Sequence, residues 1–98
     1  MKPIHPGLPK GCQVVGALYD ADDPRDLGED MIDVTLPNGL LISAGWYPEG
    51  SPNGKYVVTV SDGHELVASD GIIEACQWIE TLAEHYSRVE TRGGLGND

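Results

Sequence analysis

The sequence predicts an α+β fold, a two-layer sandwich in which an antiparallel sheet packs on one C-terminal helix. Short runs of Val, Ile, Leu, Thr and Tyr surround three turn signals, Asn38-Gly39, Asn53-Gly54 and Asp62-Gly63. Such turns between short apolar runs are typical of antiparallel hairpins. From Asp70 onward, apolar residues recur at spacings of three and four, which indicates an amphipathic helix. The predicted order is strand, hairpin, hairpin, helix.

The chain of 98 residues is long enough for one domain. Residues 1–11 form a Pro-rich N-terminal arm whose prolines, three residues apart, suit polyproline II. An unpaired arm is favoured over a peptide ligand. Residues 12–89 form the α+β domain, and residues 90–98 form a disordered C-terminal tail. Residues 12–19 predict an N-terminal strand, and residues 20–30, which contain six acids, predict an exposed loop.

The register of the first hairpin follows from its apolar pattern. A three-residue loop at 37–39 places the apolar residues of both strands on one face, whereas a two-residue loop mixes the faces. Pro37 presets the first turn residue, and Gly39 takes the left-handed position. The predicted pairs are Leu36 with Leu40, Val34 with Ile42 and Ile32 with Ala44.

The same reasoning predicts a three-residue loop at 61–63 in the second hairpin. The resulting pairs are Val60 with His64, Val58 with Leu66 and Tyr56 with Ala68. A two-residue turn at Asp62-Gly63 is the alternative. Residues 47–54, with two Pro and two Gly, predict a loop between the hairpins.

The helix is predicted to run from Asp70 to about Arg88, with Ser69 or Asp70 as its cap. Its apolar stripe consists of Ile72, Ala75, Cys76, Ile79, Leu82, Ala83 and Tyr86. Cys76 lies on this stripe and is expected to pack in the core as a small apolar residue.

Composition limits the partners. Six Lys and Arg against sixteen Asp and Glu give a net charge of -10, which argues against binding to nucleic acid or to an anionic membrane. The two cysteines and the lack of an apolar leader predict a cytoplasmic protein with reduced thiols. No apolar run approaches membrane-spanning length.

No motif predicts a catalytic residue, a metal site or a cofactor. A calcium loop counted from Asp20 fails, because Arg25 and Met31 stand where the EF-hand pattern requires Gly and Glu. The cysteines lack metal-ligand spacing, and no nucleophile elbow or phosphate-binding glycine loop is present. An enzyme is therefore the less favoured interpretation, although catalytic groups can converge in space.

One surface is predicted to bind a partner. A single helix covers one face of the sheet, and the other face carries an apolar island surrounded by Thr and Ser. Trp78 at the edge of the helix stripe and Trp46 in "GWYPEG" add aromatic anchors. The predicted partner-binding residues are Leu41, Tyr47, Val57, Val67, Trp46 and Trp78. The alternatives are ordinary strand propensity, a core-edge Trp, and coverage of the island by the arm or the first strand.

The leading hypothesis is a small, acidic, cytoplasmic, non-enzymatic protein-protein interaction module that binds another protein or itself through the free sheet face. The second hypothesis is an acidic inhibitor or immunity-type protein that mimics nucleic acid. It predicts that neutralising the acids of the 20–30 loop, Asp20, Asp22, Asp23 and Asp26, destroys binding. The third is a small-molecule binding or enzymatic module with its site under residues 46–54.

Overall fold

A computed structural model describes residues 2–61 and 65–88 and confirms the predicted α+β class. The strands are β1 (Lys2–Ile4), β2 (Gln13–Gly16), β3 (Leu18–Asp20), β4 (Ile32–Thr35), β5 (Leu41–Tyr47), β6 (Lys55–Val60) and β7 (Glu65–Ser69). A short 3-10 turn spans Pro24–Asp26, and the helix α1 spans Ile72–Tyr86. The main sheet has five strands in the order β2-β4-β5-β6-β7, and β1 pairs with β3 in a separate two-stranded sheet. The tail predicted at 90–98 lies outside the described residues.

The register of the first hairpin is confirmed. Val34 pairs with Ile42 and Ile32 with Ala44, and the Leu36 N–H donates to the Leu40 carbonyl at 2.8 Å. Gly39 adopts the left-handed conformation at φ +94° that the turn requires. Asn38, in the same turn, also bonds to the helix: its Nδ2 donates to the Tyr86 carbonyl at 2.7 Å. The hairpin tip is thereby tied to the end of α1.

The register of the second hairpin differs from the prediction by one residue. Val60 pairs with Glu65, Val58 with Val67 and Tyr56 with Ser69, so four residues and not three separate the first paired positions. The Ser61 hydroxyl accepts a hydrogen bond from the Leu41 N–H at 2.9 Å, which fixes Ser61 beside the start of β5. Because a slip of one residue exchanges the faces of a strand, Val67 turns toward the helix and Leu66 turns away from it.

The predicted strand at 12–19 is divided between two sheets. β2 forms the edge of the main sheet, and Ala17 then bonds to Met31 through its N–H at 3.0 Å before the chain leaves that edge. β3 packs against α1, and its first residue, Leu18, is completely buried. The break lies at Gly16, whose φ of +83° departs from the extended conformation.

The N-terminal arm was predicted to be unpaired, and that prediction is wrong for its first residues. β1 pairs with β3, with Ile4 opposite Leu18 and Pro3 opposite Tyr19. Proline is compatible with such an edge strand. The half-buried side chains of Ile4, Leu8 and Cys12 pack on the core, which gives the arm a reason to be ordered.

The core lies between the main sheet and α1. Trp46 and Tyr56 meet edge to face, with ring centroids 5.0 Å apart, and the Trp46 Nε1 donates to the Ser51 carbonyl at 2.8 Å. The Tyr56 hydroxyl donates to the Tyr19 carbonyl at 2.9 Å. Burial, followed by the nearby Asp20 carboxylate, raises the pKa of Tyr56 to about 12. Both polar groups are thus satisfied inside an apolar core.

The helix is shorter at both ends than predicted. It begins at Ile72 behind Gly71, which provides no side-chain cap. Ser69, one of the two predicted caps, instead donates to the Glu74 carboxylate at 2.8 Å and so holds the first turn against β7. Cys76 is buried on the apolar stripe, as predicted. No helix in the described part of the chain is long and apolar enough to cross a membrane.

Candidate interaction surface

The face of the main sheet that points away from α1 is called the open face here. Its side chains form four rows across the strands: Gln13, Thr35 and Leu41; Val15, Asp33, Ser43, Thr59 and Leu66; Val57 and Ala68 beside Gly45; and Tyr47 with Lys55. α1 packs on the opposite face, against β3, β5, β6 and β7.

The arm also lies on the helix side. The Gly7 N–H donates to a carboxylate oxygen of Glu80 on α1 at 2.6 Å, and Gly11 approaches Pro37 at the end of the sandwich. β2 extends the edge of the sheet and does not cross it. The alternative in which the arm or the first strand covers the island is therefore wrong.

The half of the open face formed by β6 and β7 is apolar. Leu66, a large aliphatic residue at the β7 end of its row, is 68% exposed. Val57 is half-buried and Ala68, its partner on β7, is exposed. Leu66 and Ala68 were not among the predicted site residues, because their membership of this face depends on the register of β7.

The half formed by β4 and β5 is acidic and partly covered. The Trp46 N–H donates to the Gly28 carbonyl at 2.7 Å, so residues 28–31 continue alongside β5. A Cβ on Gly45, directed to the open face, would lie 1.6 Å from the Glu29 carbonyl oxygen. Only glycine allows the chain to pass this close.

Tyr47 marks the centre of the acidic half. Its side chain is 37% exposed, and burial raises its pKa, with further contributions from Asp30, Glu29 and Asp33. Asp33 accepts a hydrogen bond from the Ser43 hydroxyl at 2.8 Å across the strands. Acidic residues are thus near enough to influence the pKa of a tyrosine where the sequence predicted part of an apolar island.

A lysine stands at one corner of the open face. Lys55 lies opposite Tyr47 on β6, and its ammonium group is paired with Asp70, just beyond the end of β7. Both side chains are exposed, so the pair contributes little to stability. It does compensate the positive charge of Lys55, which leaves the carboxylates to dominate the potential of this face.

The predicted partner-binding residues are distributed over both sides of the sheet. Leu41, Tyr47 and Val57 lie on the open face, as expected. Val67 instead faces the helix and packs against the core, because of the shifted register. Trp46 is only 8% exposed, because its indole N–H finds a partner in the loop that follows.

Trp78 lies on the opposite side of the molecule from the open face. It is half-buried and packs on the edge of the core, as the core-edge alternative described. With Glu74, Gln77 and Thr81 it lines a shallow depression on the surface of α1.

The two regions named in the alternative hypotheses, residues 20–30 and residues 46–54, contain side chains that bond within the chain. In the 20–30 loop, Asp23 binds the Arg25 guanidinium at 2.8 Å and begins the 3-10 turn, and this hydrogen bonding lowers the pKa of Asp23. Part of the acidic loop is thus neutralised locally. In residues 46–54, the buried Trp46 ring packs on the core, and its Nε1 donates to the Ser51 carbonyl.

The thiols are poor candidates for chemistry. Burial raises the pKa of Cys12, and burial together with Glu80 raises the pKa of Cys76. Both thiols are thus protonated at neutral pH, and the thiolate is the nucleophilic form. Within residues 2–61 and 65–88, no group of three or more His, Cys, Asp or Glu side chains could hold a metal ion.

No family model matches the chain, and no curated protein or solved structure matches it either. The geometry of the open face is therefore the feature that indicates a function.

Proposed function

We propose that this chain is a small, non-enzymatic interaction domain that binds a partner protein over the open face of its sheet. The observation that carries the proposal is the exposure of Leu66, 68%, beside Val57 and Ala68 on a face that neither α1 nor the arm covers. Aliphatic side chains surrounded by Thr, Ser and charged residues form the core and rim that protein interfaces share.

The partner is a protein whose own aliphatic patch is bordered by Lys or Arg. Asp30, Glu29 and Asp33 are near enough to Tyr47 on the open face to help raise its pKa, and the chain carries a net charge of -10. Complementary charge accelerates association and selects the partner, whereas the apolar contacts supply most of the affinity. Two copies of this chain would repel each other, so another protein is a better partner than a second copy.

A cytoplasmic location is part of the proposal. Cys12 and Cys76 are both free thiols, which suits a reducing compartment. The raised pKa values of these thiols also favour a role in packing over a role in chemistry.

The test compares two aspartate substitutions on opposite sides of the molecule. Leu66→Asp places a carboxylate on the open face, and Ile73→Asp places one on the exposed side of α1, at side chains that are 68% and 58% exposed. Both variants are expected to fold, which the thermal midpoint checks. Tagged wild type and both variants are then compared for the proteins they retain from a lysate of the native host.

The expected result is a basic protein that wild type and Ile73→Asp retain and Leu66→Asp loses, with direct binding reproduced by the purified pair. Equal retention by Leu66→Asp, or loss only from Ile73→Asp, would overturn the proposal.

A further inference from the structure

We infer that the partner is held as an added strand, with an extended segment pairing along the outer edge of β7. This inference rests on the proposed function and states how the partner binds. Within residues 2–61 and 65–88, β7 is the last strand on its side of the sheet. A sixth strand there would continue the ladder and lie beside the apolar half of the open face.

The hydrogen-bond pattern of the sheet identifies the groups that β7 offers. In antiparallel pairs, successive residues of a strand bond alternately to the neighbour on one side and on the other. On β5, the Trp46 N–H donates toward the β4 side, to Gly28, and the Leu41 N–H toward the β6 side, to Ser61. Even-numbered residues of β5 therefore bond toward β4 and odd-numbered residues toward β6.

The pairing of β6 with β7 carries this alternation to the edge. Even-numbered residues of β6 bond to β7, and Val58 and Tyr56 pair there with Val67 and Ser69. The N–H and carbonyl groups of the two remaining inner residues, Leu66 and Ala68, consequently point outward. Two residues of the same strand offer four main-chain groups, with a spacing that another extended chain matches.

Within the described residues, β7 lacks three features that commonly protect an edge strand: proline, lysine and a bulge. Its sequence, ELVAS, contains no Pro, Lys or Gly, and its pairing with β6 runs without a bulge from Glu65 to Ser69. Short edge strands, prolines, lysines and bulges are the usual means of preventing a further strand from pairing.

The other edge of the sheet is less suitable. β2 has four residues, and the same alternation leaves the groups of Val14 and Gly16 pointing outward. After Gly16 the chain turns away through Ala17 into the second sheet. Only Val14 therefore presents outward groups from within the strand, which is too few for a stable ladder.

The side chains around β7 define the sequence that would bind. The added residues that point to the open face would lie beside Leu66 and Ala68, and aliphatic side chains fit there. The net charge of -10 favours Lys or Arg at the remaining positions. The occupant is therefore an extended segment in which aliphatic and basic residues alternate.

The helix provides a second wall. Two residues of a helix that are two positions apart lie about 200° apart around its axis. Because Glu80 faces the arm, Trp78 lies on the flank away from it, and α1 packs on β7. A strand added to β7 would run along this flank.

The test uses the full ¹⁵N-labelled chain and a synthetic peptide of about eight residues in which Lys and Val alternate. Hydrogen exchange of the Leu66 and Ala68 amides is expected to be fast in the free protein, and to slow at least about tenfold when the peptide saturates. The Val67 amide, bonded to β6, is expected to be protected in both states. The matched control is a peptide of alternating Lys and Pro, which keeps the charge but lacks the alternate donors.

Two substitutions at position 68 test whether the peptide binds through the main-chain groups of the β7 edge or through the side chains of the open face. Ala68→Pro removes only an outward N–H, and is expected to weaken the peptide at least about tenfold, whereas Ala68→Ser keeps the N–H and the affinity. If Ala68→Pro does not fold, the hydrogen-exchange measurement on wild type still decides whether the peptide pairs with β7.

Four results with the wild-type chain would overturn strand addition. The first is no binding at millimolar peptide, and the second is binding that leaves hydrogen exchange of the Leu66 and Ala68 amides unchanged. The third is slower exchange at the Val14 amide instead. The fourth is exchange at Leu66 and Ala68 that slows in the free protein as its concentration rises, which would indicate a second copy. Binding that is lost in Val57→Asp but kept in Ala68→Pro would overturn strand addition alone and leave the open face as the binding surface.

Discussion

The two faces of the main sheet are built from the same strands but serve different purposes. Val58 is completely buried against the helix layer, whereas Val57, its neighbour in β6, points to the open face and is half-buried. The exposure of Leu66, 68% on β7, makes the same contrast with the buried Ile42 on β5. Residues that hold the fold and residues available to a partner therefore alternate along β4 and β6, so adjacent substitutions there are expected to have opposite consequences.

The largest difference between the faces is expected for Val58→Asp and Val57→Asp. A carboxylate in place of Val58 would be buried without a partner, at a cost of several kcal/mol, which is about the whole stability of a small domain. Val57→Asp meets water on the open face and is expected to cost about 1 kcal/mol. Far-ultraviolet circular dichroism measures the secondary structure of both variants, and urea unfolding measures their free energies of unfolding. Equal loss of structure in the two variants would show that the open face is internal.

Gly45→Ala tests the segment that overhangs the acidic half. The new Cβ would overlap the Glu29 carbonyl, so residues 28–30 must move, and we expect a loss of about 2–3 kcal/mol in the free energy of unfolding. Gly7→Ala is the control, since its nearest contact would be an ordinary 3.5 Å from the Glu80 carboxylate. Urea unfolding compares the two variants. Similar midpoints would mean that the segment does not lie over Gly45.

The alkaline pH dependence of stability separates Tyr56 in the core from Tyr47 on the open face. The folded pKa of Tyr56 is about 12, and an unfolded tyrosine titrates near about 10. The folded state holds this proton more tightly, so the contribution is complete below pH ~10 and is lost as the pH rises toward ~12, by about 2 kcal/mol. Urea midpoints across this range, measured in wild type and in Tyr56→Phe, should show that the substitution flattens the dependence. Tyr47→Phe should flatten it less, and the reverse order would contradict this assignment.

Asn38→Ala should have the smallest effect. The variant loses the hydrogen bond to the Tyr86 carbonyl and the one from the Leu40 N–H, and we expect a loss of about 1 kcal/mol. The affinity of the chain for the Lys–Val peptide should be unchanged, because the turn lies at the end of the core, away from the proposed peptide site. Thermal unfolding and peptide titration measure the two quantities, and a matched fall in both would show that the turn and the face are coupled.

The sequence predicts the first hairpin in full because two signals agree there. Alternating apolar residues and the Pro37-Asn38-Gly39 turn select the same register. In the second hairpin, Leu66, Val67 and Ala68 are all apolar, so alternation favours neither face and the turn alone cannot decide.

The rest of the candidate site depends on tertiary contacts. The passage of Glu29 over Gly45 and the partner of the Trp46 indole in the following loop have no local signal in the sequence. For this reason the open face could be predicted as a surface, and Leu41, Tyr47 and Val57 as members of it, while the exposed Leu66 could not. Alternation along β5 places Trp46 on the helix side, but its hydrogen bond to Ser51 could not be predicted.

The most direct test of the open face as a binding surface is a titration of the ¹⁵N-labelled chain with the purified partner that Leu66→Asp fails to retain. Amide chemical shifts are expected to change at Val57, Leu66 and Ala68, and to stay constant at Gln77, Thr81 and Glu84 on the outer side of α1. Changes confined to those helix residues, with the sheet unaffected, would contradict the assignment of the binding surface to the open face.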